Sequence, residues 1–407
     1  MKAKIYLLLA CLFIIYIGTG SAGSLLGSAW PAISADIAAP ISSQSLLIVI
    51  IYISATLGSA TTQNLLARFR TWAPATVGIL IAAIYVFSFS QARVFFVMPF
   101  IGAMFGYVYG MEGTIINGYA SRHYKAMWMS WLHCFFGIGC TLGPAILSYF
   151  MLNMGSWRMG YRAVGWIEIC IFALLFASYP LWKVHGPVIP QRKGALTGGP
   201  AAEPVVRVKS NRELFRLPGG TIIPVTMVFY CSFEVIVFFW ATSFLTEEKG
   251  FSPGEAAGLM AFFYAAQVAG RVISGFLSIR FSDRYIIRVA LAITAIAALT
   301  FAFAHGAVMA PALVVLGFAS GPVFPLLIHE VPSIVGDANA QGVIGLQLAG
   351  ANLGTAFVPL IVGVVANFAG FRVFPVFLIA LIGVSIFLKT VQDRGAVRRE
   401  GQSVCSR

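Results

Sequence analysis

The chain has 407 residues, of which 59% are hydrophobic and only 10% charged, and its net charge is +13. A water-soluble domain carries about 25% charged residues, so this composition excludes an ordinary soluble enzyme or binding domain. The basic excess would suit nucleic acid, but Lys and Arg fall in short segments between apolar runs, the pattern of an orientation signal in a membrane protein.

A helix crossing the hydrocarbon layer needs about 20 apolar residues. Twelve stretches qualify, near 5–29, 43–66, 72–90, 94–118, 126–152, 161–183, 220–245, 253–279, 284–304, 308–328, 340–367 and 371–391. The first also has features of a secretory signal: Lys2 and Lys4 precede a Leu/Ile-rich stretch, and GTGSAGS supplies small residues for cleavage. Its apolar character continues to Trp30-Pro31, past the length of a signal core, so a retained helix is expected. The longest interruption, 184–217, is rich in Pro, Gly and basic residues. It reads as a flexible cytoplasmic linker, with charge that would draw it to anionic headgroups. The expected organisation is an N-terminal six-helix bundle over 1–183, the linker over 184–217, a C-terminal six-helix bundle over 218–391 and a cytoplasmic tail over 392–407.

With the N-terminus inside, only Arg93, Arg158, Arg162, Lys249 and Arg372 of the 27 Lys and Arg residues fall in outside loops. The expectation is a multi-pass protein of the cell (inner or plasma) membrane with both termini cytoplasmic. Six cysteines are present, at 11, 134, 140, 170, 231 and 405. The first five lie in apolar runs and none forms a CxxC pair, so they read as small buried residues rather than disulfides or metal ligands.

The two halves echo each other. GSATTQNLLARF (58–69) after span two matches GRVISGFLSIRF (270–281) after span eight in its leading Gly and closing Arg-Phe. GCTLG (139–143) in span five matches GANLG (350–354) in span eleven, and Gly102/Gly106 in span four match Gly317/Gly321 in span ten. A repeat of six spans and six with a linker between them is the signature of a two-bundle transporter, with its site between the halves near mid-membrane.

Span four carries Gly102, Gly106 and Gly110 at four-residue spacing, which lets a second helix approach closely. It also holds Glu112, followed five residues later by Asn117. A charge at this depth costs about 2.5–3.5 kcal/mol, so an acid here reads as functional. The other deep polar groups are His133, Glu234, Trp240, Gln267, Gln347 and Asn352. A carboxyl group away from water can hold a proton and release it when water or a partner arrives, which suits Glu112 and Glu234, one in each half. Asn117, His133, Gln267, Gln347 and Asn352 can pair with ligand hydroxyls, and Trp240 offers a flat apolar face for a sugar ring. Helix-to-helix hydrogen bonding is the competing use of these side chains. Glu168 is expected near the outer end of span six, paired with Arg162 at the interface. At the inner face, Arg68, Arg280, Asp283 and Glu330 are candidates for ion pairs that hold the cytoplasmic side shut. Arg271 lies deeper, within reach of an acid or substrate. No nucleotide-binding loop, HExxH, GxSxG or paired-Cys pattern occurs, so neither an enzyme nor a cofactor- or metal-dependent pump is expected.

On these residues the chain resembles the major facilitator superfamily, and more narrowly its fucose–galactose–glucose proton-symporter (fucose permease-like) family. The carriers are GMEGTIINGY around Glu112, WLHCFFGIGCTLGP (131–144), YCSFEVIVFFWATSFL (230–245) and the span-eight stretch 250–281. The resemblance implies an all-α membrane fold of twelve helices in two pseudo-symmetric bundles. It makes Glu112 the proton-linked carboxylate, with Asn117 and His133 near the sugar. The chain departs from the family in two places. The family's span-one acid is missing, Gly27 standing about where it would fall, and Ala67 and Ile279 replace the Asp of the inner-loop motif. The expected function is alternating-access import of a small polar solute, a monosaccharide by resemblance, with protons, by a monomer in the bilayer. The alternatives are an exporter of sugars, drugs or metabolites, and a sensor that binds a solute without moving it.

Overall fold

The computed structural model describes residues 2–123, 126–183 and 211–405; residues 184–210, most of the expected linker, lie outside the described residues. Among the described residues, twelve helices are long and apolar enough to cross a membrane. The first half holds α1 (Lys2–Asp36), α2 (Ser43–Arg68), α3 (Trp72–Gln91), α4 (Met98–His123), α5 (Ala126–Met154) and α6 (Trp157–Ala177). A short helix, α7 (Asn211–Phe215), precedes α8 (Ile222–Lys249), α9 (Pro253–Leu277) and α10 (Asp283–Phe303). The tenth span is α11 (Met309–Ser320) followed by α12 (Val323–His329). It breaks at Gly321-Pro322, because proline has no N–H to continue the ladder. The short α13 (Val331–Val335), then α14 (Asp337–Ala369) and α15 (Phe374–Cys405), complete the second half.

Local chemistry sets several ends. Ser252 and Glu255 form a reciprocal capping box at the start of α9. Gly250 closes α8 in the left-handed region at φ +74, which glycine reaches without steric cost. Backbone polar groups are satisfied within the helices, as a lipid environment demands.

The glycines determine which helices touch. Gly106 and Gly110 on α4 lie against the carbonyls of Ile51 and Ala55 on α2, and Gly58 returns the contact onto Tyr107. The second half repeats this: Gly317 and Gly321 lie against Phe263 and Gln267 on α9, and Gly270 against Phe318. The structural counterpart of Gly317/Gly321 is therefore Gly106/Gly110, one turn beyond the expected Gly102/Gly106. Gly102 instead faces the Ile51 side chain. Gly139 and Gly143 on α5 abut the carbonyls of Ile17 and Ser21 on α1, as Gly350 and Gly354 on α14 abut Pro224 and Val228 on α8. This is the expected GCTLG/GANLG correspondence, realised as backbone contact. Helix α1 is a core element, with Leu8, Leu12, Ile15 and Trp30 buried.

Candidate functional site

The two halves meet along α1/α8, α2/α14 and α5/α9. The contacts concentrate at the end of the molecule remote from the two chain termini. There Gly27 lies against the Phe238 carbonyl. Gln44 Nε2 donates to the Phe239 carbonyl at 3.2 Å, Ser45 Oγ to the Pro359 carbonyl at 3.4 Å and Ser42 Oγ to Asn367 Oδ1 at 3.1 Å. Ser148 and Leu152 on α5 fill the notches left by Gly258 and Gly254 on α9. Toward mid-depth α5 and α9 still touch, with Val268 and Arg271 beside Gly137.

Beyond that depth the helices present polar groups to a cleft. His133 is exposed, and Glu234, Gln267 and Arg271 are part-exposed, although each belongs to a helix packed between the halves. Gln267 Nε2 donates to Glu234 Oε1 at 2.9 Å. Arg271 donates from Nε to the Gly321 carbonyl at 3.1 Å. Its charge acts on Glu234 in its own half and on His133 across the cleft. The His133 ring stands edge-on to Tyr16, centroids 6.0 Å apart. Tyr16 lies beside Asn117. Asn117 donates to the Gly113 carbonyl of its own helix at 2.8 Å, and its Oδ1 is buried without a partner. Four of the expected solute and proton residues, His133, Asn117, Gln267 and Glu234, thus converge with Arg271. Tyr16 completes the wall; nothing in its apolar surroundings marks it in the sequence, and only the packing of α1 on α5 brings it here.

The remaining expected solute residues do other work in this structure. The Trp240 indole is buried, donates to the Pro359 carbonyl at 3.1 Å and packs on Phe371. Gln347 is buried and ties α14 to α12 through the Leu327 carbonyl at 3.1 Å. Asn352 is exposed, on the side of α14 away from the Gly350/Gly354 contact with α8.

Among the described residues, the ion pairs of the expected inner-face gate lie within the second half rather than across the halves. Asp283 pairs with His329 at 2.6 Å. Glu330 accepts from Lys389 at 2.7 Å and 2.8 Å and from Gln392 at 2.7 Å. Lys389 also reaches Asp393 at 2.7 Å, and Arg288 meets Asp393 at 2.6 Å. All of these lie within the second half. Arg68 and Arg280 are exposed. Burial pushes the Glu330 carboxyl above its ordinary range, and the Lys389 ammonium beside it pulls the other way. Arg271, grouped with these residues from sequence, belongs to the cleft.

Glu112 is buried among α1, α3 and α4. Its Oε2 accepts from Thr19 Oγ1 at 3.1 Å, its Oε1 has no partner, and its carboxyl occupies the space a side chain at Gly78 would need. Glu168 corrects its expected place. It is fully buried near the middle of α6 with both oxygens unpartnered, while Arg162 is exposed to the surroundings. The helical register of α6 turns the two residues to different faces. Among the described residues, no three His, Cys, Asp or Glu side chains gather as a metal site.

A family model described as Major Facilitator Superfamily matches residues 222–403. The chain is 26% identical over 274 residues to the "Probable nitrate/nitrite transporter NarK2" of Mycobacterium tuberculosis, covering 64% of this chain and 64% of that protein. The chain thus spans less than two thirds of the length of the curated relatives it matches. The crystal structure of the nucleoside transporter NupG superposes with a TM-score of 0.71 at 14% identity, covering 96% of this chain and 98% of that one. A bacterial homologue of the human lysosomal transporter Spinster, inward-facing and occupied, gives 0.71 at 14% identity over 98% and 97%. The chain shares the fold of these solved transporters, with twelve helices among the described residues long and apolar enough to span a membrane, arranged in two related halves.

Proposed function

We propose that this chain is a secondary transporter of the major facilitator superfamily that carries a small polar solute by alternating access. The observation that carries the reading is the convergence of His133 and Asn117 from one half with Glu234, Gln267 and Arg271 from the other on a single cleft. A solute held there touches both halves, so its binding couples to their relative motion. With both termini cytoplasmic, the open end faces the cytoplasm and the Ser42/Asn367 end is the closed outer gate. Import with protons would be carried by intramembrane acids, Glu112 in the first half and Glu234 in the second.

A hydroxylated solute such as a monosaccharide suits the amide, imidazole and phenol groups of the cleft and follows the fucose permease-like resemblance. A second reading, an anionic solute, is favoured by Arg271, a cation facing the cleft, and is in keeping with the nitrate/nitrite relatives. In that reading, a proton on Glu234 leaves the Arg271 charge free for the anion, so anion and proton enter together.

Thermal-shift measurements on the purified protein with hexoses, nucleosides, nitrate and nitrite, followed by counterflow in proteoliposomes, test both readings. A solute that binds the folded state raises its apparent stability. Hexose stabilisation and counterflow support the first reading, and nitrate or nitrite counterflow lost in Arg271→Gln supports the second. Binding without counterflow by any solute would make the protein a sensor and overturn the transport reading.

A further inference from the structure

Glu168 and Glu112 reach α1 at neighbouring residues. The Glu168 carboxyl fills the place of a side chain at Gly18, where a Cβ would stand 2.8 Å from Oε2 and 3.1 Å from Oε1. Glu112 accepts from Thr19, the next residue. The two acids interact electrostatically. Three of their four oxygens, Glu112 Oε1 and both of Glu168, are buried without a hydrogen-bond partner. An acid kept only to join helices would use its oxygens, since a buried acceptor left without a donor destabilises the fold.

Among the described residues, no cation acts on the pair. Between Lys4 and Asp36, α1 has no charged residue, and α3 has none. Helix α5 contributes only His133, which faces Tyr16 and the cleft. On α6 the other charged residues are Arg158, committed to Asp36, and Arg162, which is exposed. The titratable neighbour of Glu112 on α1 is Tyr16. Two buried carboxyls reaching neighbouring residues of one helix make a place where a proton can be held. Gly18 and Gly78 supply two niches, each filled by a carboxyl.

We propose that Glu112 and Glu168 together form the proton-coupling site of the first half, loaded and emptied as α1 moves against α4 and α6. The inference rests on the transport reading and deepens it: the solute binds between the halves, while a proton binds inside one of them. In the loading step a proton from water adds to one carboxylate oxygen, forming an O–H; in the unloading step that bond breaks and the proton returns to water. No other bond changes. Thr19 is a positioning residue that orients Glu112.

Infrared difference spectroscopy on the purified full-length protein, titrated from about pH 5 to pH 9, reads the protonated-carboxyl band directly and needs no solute. The wild type is expected to lose band intensity assignable to Glu112 and Glu168 as pH rises. Glu168→Gln is expected to shift the Glu112 midpoint by at least about tenfold in proton affinity, and Glu112→Gln to shift that of Glu168 equally, because coupling is reciprocal. Bands that stay constant across the range, or midpoints unmoved by the partner's substitution, overturn the proposal. Bands that respond to sodium at fixed pH and not to pH overturn it in favour of a metal cation. If Glu168→Gln yields no folded protein, Thr19→Val keeps both acids and must still move the Glu112 midpoint. In proteoliposomes Glu168→Gln should lose at least about tenfold of pH-driven accumulation; unchanged accumulation counts against the pair. Absence of counterflow in the wild type would remove the transport reading alone, since the titration stands without it.

Discussion

Glu112 is held by one donor and one vacancy. Thr19 Oγ1 supplies the hydrogen bond and Gly78 supplies the room. Thr19→Val keeps the shape and removes the donor, leaving the fourth and last of the Glu112 and Glu168 carboxyl oxygens unsatisfied. The expected loss is about 1–3 kcal/mol, readable as a lower thermal midpoint in detergent; an unchanged midpoint would mean that the bond contributes nothing. Gly78→Ala places a methyl group where the Glu112 carboxyl now sits. The carboxyl has to turn away, so pH-driven accumulation should fall while the fold survives. Accumulation equal to wild type would show that the carboxyl can work from another position.

Helix pairing in lipid lacks the hydrophobic drive available in water, so close backbone approach carries it. The α2/α4 and α9/α11 pairs use the same glycine positions, and the contacts are with backbone carbonyls that cannot move aside. Gly110→Ala is expected to cost about 1–3 kcal/mol by overpacking, with Gly321→Ala behaving alike in the other half. The comparison is read from the two thermal midpoints, and a loss in one half alone would break the proposed equivalence. Midway along α15, Lys389 serves both Glu330 and Asp393 in a buried cluster. Removing one partner of such a cluster costs about 3–5 kcal/mol, so Lys389→Met should be strongly destabilised. The pH dependence has a definite sign. Burial already pushes Glu330 up, and losing the ammonium removes the main opposing influence. The variant should therefore be most stable at low pH and lose stability as pH rises through the folded-state value. A thermal midpoint that rises with pH would contradict this.

For the whole molecule, the asymmetry of the interface decides the state. Among the described residues, the close contacts that join the halves include those at the end remote from the termini, at Gly27, Ser42, Gln44 and Ser45. Alternating access requires the Ser42–Asn367 contact, now 3.1 Å, to open in each cycle. Ser42→Cys with Asn367→Cys should cross-link on mild oxidation and stop counterflow until the bond is reduced. Unimpeded counterflow in the cross-linked protein would mean that this end never opens.

The sequence by itself determined the spans, because an apolar run of membrane length admits few alternatives to a helix once backbone groups must be satisfied internally. It also determined the repeat, since glycine is the residue that backbone contact requires. It marked Glu112, Glu234, His133 and Gln267 as unusual through polarity in an apolar setting. What it could not determine was the direction each side chain faces. Trp240 and Gln347 carry the same polarity signal as His133, yet their partners are the carbonyls of Pro359 and Leu327. Glu330 and Lys389 are far apart in sequence and adjacent in space. Glu168 reads as an interfacial residue from its place in the chain, and only the rotation of α6 against α1 turns it to Gly18 and toward Glu112. Hydropathy depends on composition along one helix, whereas facing depends on which helices pack together, and that is a property of the tertiary structure alone.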